Sequence, residues 1–297
     1  MTAVEHPDTT PIPVHSIHDA LRAMLAHVTH VAPHPSAESA HKMRKEMKRI
    51  RAALRLLRES LGNTWYQQTN KQVRDAARPL APIRDATVLL RSAKQLRRPN
   101  DTQRDKKYAR RLQAQLEREL ASAERHHRAS ELKRSAAQLR EIEAPLSLKR
   151  AVEPDLPAAI AGIGKIYKNG RKALRQAQDW PNDDRLHEWR KQVKYLSSQL
   201  EIIQLVFRIE RKSIQRRAQD LAEYLGSDHD LALLSFKIDT LPSDQHSPKL
   251  SKAREKLQRR LRKERKRLQR KASRLGTKLY RRPSRKFARR LSHGLRY

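Results

Sequence analysis

The sequence contains no cysteine in 297 residues. That excludes a disulfide framework and any thiolate metal site. No stretch approaches the ~18 apolar residues of a membrane-spanning helix. Glycine is scarce, at 7 residues, and no segment alternates apolar and polar residues as a half-buried strand would. Leu, Ala, Arg, Lys, Gln and Glu dominate instead, which favours helix. Aromatics make up only 4%, whereas a single-strand nucleic-acid binder usually stacks bases on aromatic rings. Negative charge is in deficit: 32 Asp and Glu against 67 Lys and Arg leave a formal net charge of +35. A chain this basic either meets a polyanion or repels itself. The opening MTAVEHPDTTPIPV has neither a basic start nor an apolar run. No signal peptide is therefore expected, and the expected location is the cytoplasm.

What the sequence does have is a repeated motif. Residues 41–48 read HKMRKEMK and residues 187–194 read HEWRKQVK, an offset of 146 residues. Both fit His-x-x-Arg-Lys-x-x-Lys. Each copy is followed by a second mark, LAPIRDATVLL with Asp85 and LGSDHDLALL with Asp230. Two marks in the same order at nearly the same spacing point to a duplicated unit. The duplicated polar residues are mostly cationic, which points to a large anionic ligand.

The expected fold is all-α, built from a duplicated helical unit. Prolines 7, 11 and 13 mark residues 1–14 as a disordered leader. Periodicity predicts helices at 15–31, 36–61, 66–78, 84–97, 101–128 and 130–143. After the prolines at 145, 154 and 157 it predicts helices at 157–179, 183–207, 209–225, 228–240, 245–276 and 284–294. Repeat 1 covers about 15–150 and repeat 2 about 157–295. A pseudo-twofold arrangement, with the basic faces meeting across a wet channel, would tolerate the charge.

On a helix at about 100° per residue, Met43, Met47, Ile50, Leu54, Leu57 and Leu61 share a narrow arc. His41, Arg44, Lys45, Lys48, Arg49, Arg51 and Arg55 lie opposite. In the second copy Leu186, Trp189, Val193, Leu196, Leu200 and Ile203 form the apolar arc, and His187, Arg190, Lys191 and Lys194 the basic one. Like charges three and four residues apart cost a helix roughly 0.2–0.5 kcal/mol per pair. An ordinary solvated face offsets this with interleaved Glu, but residues 41–61 offer only Glu46 and Glu59. A bound anion can supply the countercharge instead. Beside so many cations, His41 and His187 should stay neutral near pH 7 and donate a hydrogen bond to a phosphate oxygen. No carboxylate or second His stands at i+4 on either helix, so no metal site is expected.

Asp85 and Asp230 each precede an apolar run. They can be helix caps or first-turn charges favourable to the helix dipole, or acceptors that orient an Arg or His of the motif helices. Lys165, Lys168, Arg171 and Arg175 fall near one face of a further helix and are candidates to line the same cavity. Residues 249–297 hold 22 Lys or Arg against two Glu, with leucines at helical spacing.

These motifs make the chain resemble the conserved histidine α-helical domain, or CHAD, family. GIGKIYKNGRKALRQA and LYRRPSRKFARRL are similar to it as well, so the resemblance spans roughly residues 15–295. It implies a compact all-α fold of two pseudo-symmetric helical bundles, with a basic central channel that binds inorganic polyphosphate, and association with polyphosphate granules. Carried over by position, the ligand-facing residues would be His41, Arg44, Lys48 and Arg51, with His187, Arg190 and Lys194. The chain departs from the family pattern at Tyr195 and Ser197, where further cations are usual, and at Ala81, where the first Leu-Gly mark has lost its glycine.

A non-catalytic polyphosphate-binding module is thus the leading expectation, with no cofactor. A nonspecific nucleic-acid binder is the alternative, since residues 249–297 could bind phosphates of any sequence. It leaves the paired histidines unexplained. An enzyme acting on polyphosphate would normally need carboxylates to hold a metal, and the motif faces lack paired ones.

Overall fold

The computed structural model describes residues 16–31, 37–126, 129–148, 156–207, 212–241 and 248–292. The expected leader at 1–14 lies outside the described residues. Among those residues every regular element is an α-helix, and none is long and apolar enough to cross a membrane. Twelve helices follow in order. They are α1 (Ile17–Val31), α2 (Ala37–Leu56), α3 (Arg58–Leu61), α4 (Asn63–Ala77), α5 (Ala81–Gln95), α6 (Gln103–His126), α7 (Ala129–Leu148), α8 (Leu156–Asp179), α9 (Asp183–Phe207), α10 (Lys212–Thr240), α11 (Pro248–Leu279) and α12 (Ser284–Ser292).

Local chemistry sets several of these starts. Ser16 Oγ accepts the Asp19 N–H ahead of α1, and Asn182 Oδ1 accepts the Arg185 N–H at the head of α9. Thr102 and Asp105 accept each other's backbone N–H before α6, a reciprocal capping pair. Gly62, at φ +87°, separates α3 from α4 in a backbone region that side chains disfavour.

Several expected boundaries move, and the helix expected at 36–61 divides into α2 and α3. The helices expected at 209–225 and 228–240 are, over the described residues, one helix, α10 (Lys212–Thr240), because Gly226 stays helical. A helical glycine costs only about 1 kcal/mol, whereas proline costs ~3. The corresponding stretch of the first half carries Pro79 and Pro82 and does break, between α4 and α5. Pro145 lies inside α7 and does not end it.

The apolar arcs read from the motif helices become core. Met43, Met47, Ile50, Leu54 and Leu57 are buried, as are Leu186, Trp189, Val193, Leu196, Leu200 and Ile203. Helices α1, α2, α4 and α7 pack together, and α8 packs on α9 and α12. One large cluster runs from Ile17 of α1 to Leu291 of α12, so both halves share it. A second cluster joins α5 and α6 of the first half to α10 and α11 of the second, through Leu90, Leu116, Leu234 and Leu261. The halves are interleaved, not juxtaposed.

Candidate functional site

Helices α2, α5, α9 and α10 meet in a ring of contacts, with α2 against α9, α9 against α10, α10 against α5 and α5 against α2. The ring brings the two motif copies together. Two contacts mark the α2–α9 crossing. Arg49 pairs with Glu201 at 3.0 Å, and the Arg55 guanidinium lies 3.6 Å over the Tyr195 ring. Adding 146 to 49 and 55 gives 195 and 201, so each contact maps onto the other under the repeat offset.

Inside the ring the charges do not balance. Six cations, Arg44, Lys48, Arg84, Arg91, Arg190 and Lys194, face two carboxylates, Asp85 and Asp230. Arg84 Nη1 donates to Asp85 Oδ1 at 2.7 Å and its Nη2 to Asp230 Oδ1 at 3.2 Å. Arg91 adds a longer pair to Asp230 at 3.8 Å. Neither carboxylate is a helix cap. Asp230 stands in the interior of α10, and α5 starts at Ala81 with no side-chain cap. Both serve as acceptors, but the cation they orient is Arg84 rather than a residue of a motif helix.

Lys48 touches solvent, yet burial first and then Arg44, Arg84 and Arg190 push its ammonium down to about 8. Lys194 is half-buried, and the same causes, with Arg190 and Lys48 as the main neighbours, lower it to about 7. His41 and His187 both fall below the usual histidine range, through burial and then nearby cations: Lys48, Arg91, Arg84 and Lys45 for His41, Arg190 and Lys191 for His187. His229, whose ring lies 5.2 Å from that of His187, falls to about 4. At neutral pH these imidazoles are neutral donor-acceptor groups among fixed cations.

Unused donors remain. Arg44 Nη1 donates to the Ala77 carbonyl at 2.7 Å. Arg44 Nε, Arg55 Nη1 and Arg190 Nε are buried without a hydrogen-bond partner among the described residues. Buried donors of this kind are normally satisfied. Among the described residues no group of three or more His, Asp or Glu could hold a metal.

Other expected site residues have structural partners. Arg49 is held by Glu46 and Glu201, Arg51 donates to Asn70 Oδ1 at 2.8 Å, and Lys191 pairs with Glu188. Lys45 is exposed beside His41. Lys165 pairs with Glu59, at 2.8 Å. Lys168, Arg171 and Arg175 line a separate cleft beside α12. Arg84, Arg91 and His229 were missed. Arg84 drops out of any comparison of the two copies because His229 stands opposite it in the second.

The CHAD domain family matches residues 15–239, most of the chain. The chain belongs to the CHAD domain family. Two solved structures of this fold are similar to it. PptA from Streptomyces chartreusis superposes with a TM-score of 0.67 at 17% identity, covering 88% of this chain and 98% of its own. The CHAD domain from the plant Ricinus communis superposes with a TM-score of 0.58 at 18% identity, covering 99% and 98%. No curated protein matches the sequence. At these identities the likeness establishes the fold, and the CHAD ring geometry above is this chain's own.

Proposed function

We propose that this CHAD domain binds inorganic polyphosphate without catalysis, in a basic channel between α2, α5, α9 and α10, and acts at polyphosphate granules in the cytoplasm. One observation carries the reading: six cations from both halves converge on two carboxylates, an excess that, after burial, helps to lower Lys48 to about 8 and Lys194 to about 7. Such a cluster lowers its free energy when an anion enters. Orphaned guanidinium donors and neutral histidines supply hydrogen bonds to phosphate oxygens. Polyphosphate has dense charge and no bases, so it needs nothing more. The carboxylates that a catalytic metal would require are already committed to Arg84 and Arg91.

A nucleic-acid reading has its own observation. The inner face of α11 is neutralised, with Lys256, Arg260 and Arg265 paired to Asp105, Asp101 and Asp228. On its outer face Lys252, Arg262, Lys263 and Arg274 are exposed and make no ion pair with a described residue. That stripe could hold any phosphate backbone.

The test is displacement of labelled long-chain polyphosphate by RNA of matched charge across a salt series, on the wild type and on Arg44→Ala/Arg190→Ala. Expected is a preference for polyphosphate that survives physiological salt and is lost in the double variant, which still folds. Equal displacement with a steep salt slope, or unchanged affinity in the folded variant, would refute the channel.

A further inference from the structure

We propose a second oligophosphate-binding site in the cleft between α8 and the start of α12. It rests on the polyphosphate reading for its ligand class but not on the α2–α9 cluster for its residues. The cleft has a volume of about 660 Å³, within the range of roughly 300–1,000 Å³ typical of small-ligand sites. Its walls carry Lys168, Arg171, Lys172, Arg175 and Arg285, with Asp179 the acidic residue among the lining groups. None of the five cations makes an ion pair with a described residue. Lys168 and Lys172, and Arg171 and Arg175, stand four residues apart on one helix, where like charges repel. A structural surface would offset them with ion pairs, as α11 offsets its inner face; among the described residues these five cations have none.

The cleft is built rather than incidental. The single Tyr167 O–H is shared between the carbonyls of Leu279 and Arg282, each at 3.0 Å, and its ring stacks on Phe287 at 3.9 Å between centroids. Tyr280 packs edge-on against Tyr167 and directly over Gly170, where a Cβ would collide with the phenol. These contacts clamp the turn that carries Pro283, Ser284 and Arg285 against α8, and so fix the distance between the two cationic walls. Ser284 and Arg285 open α12, whose first-turn N–H groups have no intrahelical acceptor. Asn169 and Gln176 add amide donors to the lining. Planar guanidinium groups, an ammonium pair and amide donors around one hollow select a compact polyanion with terminal and bridging oxygens, hence a few linked phosphates.

The probe is inorganic tripolyphosphate, titrated calorimetrically into the full chain. The wild type should take two equivalents. Arg171→Ala/Arg175→Ala/Arg285→Ala should lose one and keep the other. Arg44→Ala/Arg190→Ala should lose the complementary one. Should the triple variant fold poorly, Arg285→Glu alone should weaken one of the two sites at least tenfold. A single wild-type equivalent that persists in the folded triple variant, or two equivalents in that variant, would overturn the cleft while leaving the central site intact. Loss of a site in the triple variant with both sites kept in Arg44→Ala/Arg190→Ala would support the cleft and overturn the central reading instead.

Discussion

Replacing Lys194 with methionine should stabilise the ligand-free protein while weakening its grip on polyphosphate. Lys194 falls from an ordinary 10.5 to about 7 in the fold. At about 1.4 kcal/mol per pH unit, holding that lysine near neutral pH costs up to ~4 kcal/mol relative to the unfolded chain. The side chain is half-buried, so water screens part of this and ~1–3 kcal/mol remains. Methionine fills a similar volume and carries no charge to desolvate. The sign follows from proton counting. The folded pKa is the lower one, so between about pH 7 and 10.5 the unfolded chain binds more protons, and wild-type stability rises with pH. The gap between variant and wild type should therefore be widest near pH 7 and close by about pH 10.5. Urea unfolding at pH 7, 8.5 and 10, with and without polyphosphate, measures it. A variant less stable than wild type at pH 7, or a gap that does not change with pH, would refute the cationic strain assigned to this site.

The same lysines predict that polyphosphate affinity falls with pH. Lys194 and Lys48, at about 7 and about 8, should recover protons as a polyanion binds, so log affinity should drop by up to about two units per pH unit above pH 8. Calorimetry at pH 8 in buffers of different ionisation enthalpy should register uptake of about one to two protons, and none would contradict the cluster. Gly276→Ala tests the core beneath the motif. A helical glycine replaced by alanine ordinarily gains up to about 1 kcal/mol. Here the new Cβ would sit 2.6 Å from Trp189 Cζ2 and 3.3 Å from Leu174 Cδ1. A loss of ~1–3 kcal/mol in the urea midpoint is expected, and a gain would show that Trp189 is not fixed where it stands.

The apolar arcs of α2 and α9 were legible because a helix buried along one stripe writes that stripe at fixed spacing. What periodicity could not reveal is that α2 is enclosed on several sides. Ala52, Ala53 and Leu56 are buried as well, since α1, α4, α5, α8 and α9 all contact the helix. Small residues on its polar side let another helix approach, and a single-stripe pattern does not announce them. Repetition marked Arg44, Lys48, Arg190 and Lys194 as one set, and the structure brings the four side chains together, each half contributing the same pair. Arg49, Arg51 and Arg55 share the basic arc and also have protein neighbours in Glu201, Asn70 and Tyr195, which the arc did not reveal. A helical wheel gives direction and not the identity of the neighbour. Repetition failed for Arg84, which reaches Asp85 and Asp230 at once. A side chain lying between the halves can serve both from a single copy. Tyr195, a departure from the family pattern, is accounted for by the guanidinium above it.

The interleaving of the halves has a consequence for how the cationic ring survives dilution. In a two-subunit protein such a ring, full of like charges, would tend to push its subunits apart, and at low protein concentration it would dissociate. Here α2 and α5 are joined to α9 and α10 by one backbone, and a shared apolar core ties them together. Assembly is intramolecular, with an effective concentration on the order of millimolar whatever the concentration of the chain. The fold can therefore hold its charges in permanent opposition even where only a few copies of the molecule are present.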